Sequence, residues 1–349
     1  MNMRKLLIII LGLITVFIFL DSFKTLLRQK ENPAPLKLPG KPKVLVFYEE
    51  GWSGIYAGSF ARLKEVKGKV DLISPVWLGL KADAGVNWDK TNFETVSFLA
   101  ENNLPFLPLV TASSGRNGSS ILASQKYQLI AINSIGAYLE KVNANGVCLD
   151  FEYLNPALKE ELVEFVTKLK EKLAGKKLLV AVFPYIDWEE PTKEVYDYKR
   201  LGEICDGVIV MTYDQHRPKD APGPVASKDW VEDNLAYFLT QIDARKLWLG
   251  IAGYGYQWQS GKKNATALPA WYCREKAIRK GTVATYRWEM GNDYLEYLEG
   301  GALYQIWWES SRGMKEKLRL AAENQLAGIA LWRLGYEEAE FWETISEFR

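Results

Sequence analysis

The 349-residue chain has one histidine, His216, and three cysteines, Cys148, Cys205 and Cys273. With no Cys-x-x-Cys pair and no second histidine, a His/Cys metal centre lacks a ligand set. The same scarcity removes Cys-His and Ser-His-Asp catalysis unless His216 is the base, and no Gly-x-Ser-x-Gly turn accompanies it. An odd cysteine count argues against a disulfide framework, and the apolar surroundings of Cys148 and Cys205 suit small buried fillers. An excess of one charge is also missing. Acidic residues number 43 and basic residues 44, so no basic field points to nucleic acid and no charged tail to a polyelectrolyte partner. No internal repeat or low-complexity tract is present.

Carboxylates remain as the natural catalysts, and aromatic residues are plentiful. The 13 Trp and 18 Tyr fall in many cases near expected strand ends, where flat apolar faces suit sugar rings, although most tryptophans serve packing. The most informative segment runs from Asn145 to Glu152, Asn-Gly-Val-Cys-Leu-Asp-Phe-Glu. At period two, Val147, Leu149 and Phe151 pack one way while Cys148, Asp150 and Glu152 point the other. Two acids side by side cannot both ionise comfortably, so one is expected to hold a proton near neutrality, as a general acid requires. Taken alone, the octet fits equally well a strand end whose acids are solvated or salt-bridged.

At the amino terminus, Arg4 and Lys5 precede an apolar run from Leu6 to Leu20, about 15 residues against the roughly 20 needed to span a bilayer. This is the pattern of an export signal. No small-x-small site follows in Leu20-Asp21-Ser22-Phe23-Lys24, which favours an uncleaved membrane anchor over a cleaved peptide. Arg4 and Lys5 are then expected to stay cytoplasmic and everything after Asp21 to be extracytoplasmic. The expected organisation is a signal-anchor segment over 1–24, a polar linker over 25–42 containing Pro33, Pro35, Pro39 and Pro42, and a globular part over 43–349.

Within the globular part, short apolar, β-branched runs alternate with amphipathic stretches. The runs predict parallel strands at Val44 to Tyr48, Val70 to Val76, Phe106 to Val110, Val147 to Glu152, Leu178 to Phe183, Val208 to Tyr213, Leu247 to Ala252 and Ile329 to Leu334. Helices are expected at Tyr127 to Val142, Pro156 to Leu173 with Asn155 as its cap, Trp230 to Ile242 and Met314 to Asn324. Eight such alternations predict an α/β fold, the (β/α)8 TIM barrel. The long interval between strands seven and eight predicts a small β-rich insertion over about 257–312, with Thr282 to Trp288 and Leu303 to Trp308 as paired strands. In this frame Asp150 and Glu152 fall at the carboxyl end of strand four, the face where such barrels place their catalysts.

Four motifs stand in register with these strands. Asn145, Cys148, Asp150 and Glu152 align with an Asp-x-x-Asp-x-Asp-x-Glu pattern, its last two positions intact. Met211-Thr212-Tyr213-Asp214 follows strand six, with Pro222-Gly223-Pro224 and Trp230 beyond it. Lys246-Leu247-Trp248-Leu249-Gly250-Ile251 with Tyr254-Gly255-Tyr256 marks strand seven, and Gly328 to Gly335, Gly-Ile-Ala-Leu-Trp-Arg-Leu-Gly, marks strand eight. On these motifs residues 43 to 345 resemble glycoside hydrolase family 18, the chitinase-like barrels, and most closely its bacterial cell-wall and spore-germination branch. The resemblance implies a glycosidase acting on an N-acetylated polysaccharide, peptidoglycan or chitin-like, without metal or organic cofactor. It implies Glu152 as general acid and then base, Asp150 as the residue orienting the 2-acetamido group, Tyr213 as a donor to the acetamido oxygen and Trp332 as the floor of the sugar subsite. Met211 and Asp214 would line the same subsite.

The residues argue independently for this chemistry. Asp150 and Glu152 leave one strand on one side and cannot straddle a sugar ring, so the nucleophile must come from the substrate, with retention at the anomeric carbon. Tyr48, Trp77, Tyr185, Tyr254 and Trp258 are further candidates for sugar contact, and equally for core or rim packing. Glu309 and His216 are expected on solvated surface. Two positions depart from the family pattern: Asn145 and Cys148 stand where acids would be. Losing an acid at Cys148 is expected to let Asp150 ionise more readily. The eroded motif also motivates the alternative of a non-catalytic, lectin-like carbohydrate-binding barrel of the cell envelope. The expected partners are the glycan and, through the amino-terminal segment, a membrane; a monomer is expected.

Overall fold

The structure is a computed structural model that describes residues 41–348 except 113 and 190. The expected signal-anchor segment and nearly all of the expected linker lie outside the described residues. Among the described residues, no helix is long and apolar enough to cross a membrane.

Eight parallel stretches form a ring. They are Lys43–Tyr48, Leu72–Pro75 resuming as Leu78–Leu80, Leu109–Ala112, Gly146–Asp150, Lys177–Val182, Gly207–Val210, Leu247–Ala252 and Gly328–Trp332. The interrupted second stretch closes the ring. Its first half pairs with Lys43–Tyr48, Leu45 opposite Leu72, and its second half with Leu109–Ala112, Leu78 opposite Val110. Between these, Ile73 N donates to Pro105 O (3.1 Å) and Leu107 N donates to Ile73 O (2.8 Å). This is a TIM-like barrel. Its strands are buried along nearly their whole length because helices cover the outer face and side chains fill the inner one.

Several strand boundaries differ from the sequence expectation, among them the sixth strand's end at Val210 rather than Tyr213, and two have a plain physical reason or bear on the site. The third strand begins at Leu109 rather than Phe106. Pro105 and Pro108 carry no amide hydrogen, so the first half of that segment cannot sustain a ladder. The fourth strand ends at Asp150, which leaves Phe151 and Glu152 in the loop that follows. Helices Gln125–Lys141, Lys159–Lys172, Lys228–Leu239 and Ser311–Glu323 occupy the expected stretches. Asn155 caps as its type predicts, its side chain accepting from Ala157 N (3.1 Å) at a 3-10 turn, Pro156–Leu158, that leads into the helix.

Between the seventh and eighth barrel strands lies an antiparallel sheet in the order Thr266–Pro269, Tyr254–Gln259, Ala302–Trp308, Asn292–Glu299, Thr285–Arg287. Helix Ala270–Arg279 packs on it around Leu268, Cys273, Leu295, Ile306 and Trp308. The strands expected to pair with each other do not. Thr285–Arg287 and Ala302–Trp308 each pair instead with Asn292–Glu299, which lies between them. That middle strand is half-exposed and carries Asp293, Glu296 and Glu299, so its composition hides it from a search for apolar runs.

Candidate active site

The site is built on the end of strand four. Gly146 starts that strand where any Cβ would collide with the backbone of Lys177, so only glycine lets the two strands close up. Beyond Asp150 the chain leaves the ladder, and Phe151 anchors the turn: its ring packs on Phe165 (centroids 5.6 Å apart) and its carbonyl accepts from Tyr196 Oη (2.8 Å). With Phe151 held against the outer helix Lys159–Lys172, Glu152 is turned to the open carboxyl face of the barrel. Asp150, Glu152, Met211, Tyr213, Asp214, Tyr254 and Trp332 line one cleft of about 230 Å³, together with Phe47, Tyr153, Ala181, Phe183 and Trp188.

Asp150 at the end of strand four and Glu152 just beyond it hydrogen-bond to each other, and burial pushes both carboxyls well above the ordinary range. Glu152 is driven up further by the negative charges of Asp150 and Asp214. The pair therefore holds a proton at neutral pH and acts as one coupled acid. Asp150 Oδ1 is buried without a hydrogen-bond partner among the described residues. Cys148 lies directly below on the same inner face, fully buried, and burial raises its thiol well above the usual range. Cys148 places a neutral thiol where an acid would repel the Asp150 carboxylate, and burial is the first cause of the raised Asp150 carboxyl. Asn145 sits at the opposite end of the strand, where Oδ1 accepts from Phe106 N (3.0 Å); its work is to join two strands.

Strand six ends at Val210, and Met211 to Asp214 continue into the cleft wall. Asp214 adopts a positive φ of 62°, and its Oδ1 accepts hydrogen bonds from Tyr254 Oη and from Tyr256 Oη (2.8 Å). Burial raises this carboxyl and the two tyrosines oppose the rise. Burial and the neighbouring acids Asp150, Glu152 and Asp214 hold the Tyr213 phenol well above its ordinary range, which keeps it a hydrogen-bond donor. Trp332 closes the eighth strand half-buried, its ring tilted against Phe47 at 5.2 Å.

Four candidates are not brought to the cleft. Tyr48 is wholly buried, its hydroxyl sharing a hydrogen bond with Thr95 Oγ1 (2.9 Å), and Trp77 is buried beside it with Nε1 donating to Glu50 Oε1 (3.0 Å). Both rings are taken up by packing, Tyr48 edge-on to Trp77 (centroids 6.2 Å apart) and Trp77 edge-on to Phe106 (6.1 Å), with Thr95 on helix Phe93–Glu101. Tyr185 stacks on Tyr237 (4.3 Å, 7° between planes) with the Lys193 ammonium 4.5 Å from its ring centroid, on the outer helix layer. Trp258 is likewise a packing residue, with Nε1 donating to Asp220 O (2.9 Å).

Glu309 and His216 also differ from expectation. Glu309 is fully buried and paired with Lys317. His216 is half-buried, and its ring fills the space that a Cβ on Gly223 would need, which explains the glycine between Pro222 and Pro224. Sequence reasoning did not single out Phe47, Tyr153, Ala181, Phe183 or Trp188 as cleft residues. Inward alternation along strands one and five, carried one residue past the end of the fifth, would have pointed to Phe47, Ala181 and Phe183. Tyr153 and Trp188 lie in loops that carry no periodic signal.

With this geometry in place, comparison with known proteins is decisive about the family. Residues 46–337 match the family described as Glycosyl hydrolases family 18. The chain belongs to that family. Among family 18 relatives, the cortical fragment-lytic enzyme of Bacillus anthracis is 27% identical over 261 residues, covering 70% of this chain and 60% of that protein. The crystal structure of the spore cortex-lytic enzyme SleL of Bacillus megaterium superposes with a TM-score of 0.79 at 26% identity, over 88% of this chain and 75% of the other. A chitinase from Chromobacterium violaceum superposes equally well, with a TM-score of 0.79 at 25% identity over 88% and 98% of the two chains. The matches to the curated Bacillus relatives span about half to three fifths of those proteins' length.

Proposed function

We propose that this family 18 protein is a retaining glycoside hydrolase that cleaves β-1,4 bonds following an N-acetylglucosamine unit, with peptidoglycan as its principal polymer and chitin-like oligosaccharides as lesser substrates. The observation that carries this reading is the contact between the Asp150 and Glu152 carboxyls beside Tyr213 and Trp332 in one cleft. An acid and a protein nucleophile flanking a glycosidic bond stand about 5 Å or more apart. Carboxyls in hydrogen-bonding contact leave no room for a sugar between them, so the nucleophile is the substrate's own acetamido group. Asp214 is a poor substitute, because its Oδ1 already accepts two tyrosine hydroxyls.

In this chemistry the protonated Glu152 gives its proton to the glycosidic oxygen as the acetamido carbonyl oxygen attacks the anomeric carbon. The bond to the leaving sugar breaks and a cyclic oxazolinium forms. Asp150 accepts the acetamido N–H, and its charge opposes the positive charge that develops on the ring. Tyr213 donates to the acetamido oxygen and holds it in line, while the Trp332 indole supports the sugar face. Glu152, now a carboxylate, then takes a proton from the water that opens the oxazolinium, restoring the acid and giving net retention. The cortex-lytic and chitinase relatives support the two substrate classes. The basic start and apolar run of residues 1–24 support an extracytoplasmic site of action at the membrane.

The test is incubation of the protein with peptidoglycan and with N-acetylglucosamine oligomers, followed by mass analysis of products, beside Glu152→Gln. Loss of product in the variant is expected; equal activity in both would sink the role of Glu152. Cys148, standing where family members carry an acid, favours the alternative of a lectin-like barrel. Oligomer binding by the wild-type protein with no product after prolonged incubation would decide for it.

A further inference from the structure

Asp214 is gripped from the second sheet on two sides. Its carboxylate accepts from Tyr254 and Tyr256, both on strand Tyr254–Gln259, and Tyr256 is not part of the cleft lining. Its backbone enters a loop that is drawn together at Ser227: Gln215 N donates to Val225 O (2.9 Å) and Ser227 N donates to Gln215 Oε1 (2.7 Å). Between those two contacts lies Ala226. Its N–H donates to Asn292 Oδ1 (3.4 Å), and its carbonyl accepts from Asn292 Nδ2 (3.3 Å) and from Lys317 Nζ (3.0 Å). Lys317 is paired with Glu309, which follows strand Ala302–Trp308. Asn292, Glu309 and Lys317 are all buried. Polar groups this deeply buried have no water to replace a lost partner, so the network is held to one arrangement.

We propose that the second sheet is a positioning element for catalysis: Tyr256 on the carboxylate, and Asn292 with the Lys317–Glu309 pair on Ala226, fix Asp214 and through its charge set the proton affinity of Glu152. The inference rests on Glu152 being the general acid. Glu152 faces Asp150, Asp214, Tyr196 and Tyr213. Of the two acids among these, Asp150 is fixed by its own barrel strand, whereas Asp214 is held by the inserted segment. Asp214 in turn faces Tyr254, Tyr256, Arg217 and Asp220. A carboxylate freed to move toward solvent, or protonated for want of a donor, exerts a weaker field on Glu152. Tyr256, Asn292, Glu309 and Lys317 do not line the cleft, so they are positioning residues that act through Asp214.

The experiment compares full-length wild type, Tyr256→Phe, the double variant Lys317→Met with Glu309→Leu, and Glu152→Gln on an N-acetylglucosamine oligomer across pH. The double variant is used because Lys317→Met alone would strand a buried Glu309, whereas replacing both charges with apolar groups of similar size preserves folding. Both positioning variants are expected to lose about 2- to 30-fold in kcat with KM little changed. Their alkaline limb is expected to move to lower pH, because a weaker negative field from Asp214 lets Glu152 release its proton sooner. Faster amide exchange at Gln215 in the double variant is the matching readout in the absence of substrate. An alkaline limb unmoved in both variants, whether or not kcat falls, would overturn the inference while leaving the hydrolase reading intact. Wild-type inactivity, or a Glu152→Gln variant as active as wild type, would overturn both.

Discussion

Two pairs of neighbouring acids lie within this barrel, Glu337 and Glu338 both buried, Asp150 buried beside a half-buried Glu152, and their surroundings are opposite. Glu337 accepts from Gly335 N (2.6 Å) and Trp342 Nε1 (2.8 Å) and meets the Arg62 guanidinium at 3.2 Å. Glu338 accepts from Trp308 Nε1 (3.2 Å) and from Ser311 N (2.9 Å) at the start of a helix. Each oxygen of these two residues has a donor. Asp150 and Glu152 have each other, an oxygen without a partner and an open cleft. Burial raises the carboxyls of both pairs, Glu337 to about 7 as for Asp150, and fixed donors oppose the rise only partly. The first pair is tied by its donors between the eighth strand's loop and the helices around it, whereas the second faces an open cleft, where a proton on Glu152 can be handed to a ligand. The difference marks which pair is built for structure and which for chemistry.

The largest expected effect tests the open pair. Glu152→Gln should lower kcat by about 100-fold or more while leaving the melting temperature within a few degrees, because it removes a proton donor and no folded-state partner other than Asp150. Product release from N-acetylglucosamine oligomers and a thermal scan measure the two halves of that statement. A variant that melts early but turns over normally would invert the comparison.

Glu337→Ala should do the reverse. It leaves Gly335 N and Trp342 Nε1 without acceptors in a buried site, at a cost of roughly 2–4 kcal/mol in urea unfolding. The kcat of the folded protein should stay within about threefold of wild type, since Glu337 lies outside the cleft. A tenfold fall in kcat at unchanged stability would place the partnered pair in the mechanism.

Asp150→Asn sharpens the comparison through pH. The Asp150 carboxyl is raised by burial, so ionising it is easier in the unfolded chain than in the folded one. Stability is then greatest below the unfolded value and falls as pH rises through the folded value. An amide does not ionise, so Asp150→Asn should be more stable than wild type at pH 8, by on the order of 1 kcal/mol, and equal to it at pH 4. Chemical denaturation at the two pH values checks this, and a variant less stable than wild type at pH 8 would contradict it.

The smallest effect concerns Tyr48. Removing its hydroxyl costs the Thr95 hydrogen bond, about 1 kcal/mol, and Tyr48→Phe should leave kcat and KM unchanged. A KM raised several-fold would return Tyr48 to the substrate-contacting set.

How far the site was legible in the chain depends on the kind of signal each residue carries. Asp150, Glu152, Tyr213, Asp214 and Trp332 sit at strand ends, and period-two alternation with eight-fold repetition is enough to assign them to one face of a barrel. Tyr254 joins them for the same reason. Tyr48 stands one residue out of phase with the inward Phe47 and meets Thr95 on helix Phe93–Glu101, and Trp77 falls in the break of the second stretch, where alternation is interrupted. The partners of Glu337 and Glu338, drawn from residues as distant in sequence as Arg62 and Trp308, carry no local signal either.

What the sequence determined by itself is the barrel, the carboxyl face on which the acids stand and the scarcity of histidine and cysteine beside them, because apolar periodicity and residue inventory are local properties of the chain. Tertiary structure alone decided that the Asp150 and Glu152 carboxyls touch, that burial rather than a neighbouring acid governs Asp150, and that Asp214 is held by two tyrosines of the second sheet. Those facts depend on desolvation and on contacts between residues far apart in sequence, and neither is written in any single stretch of it.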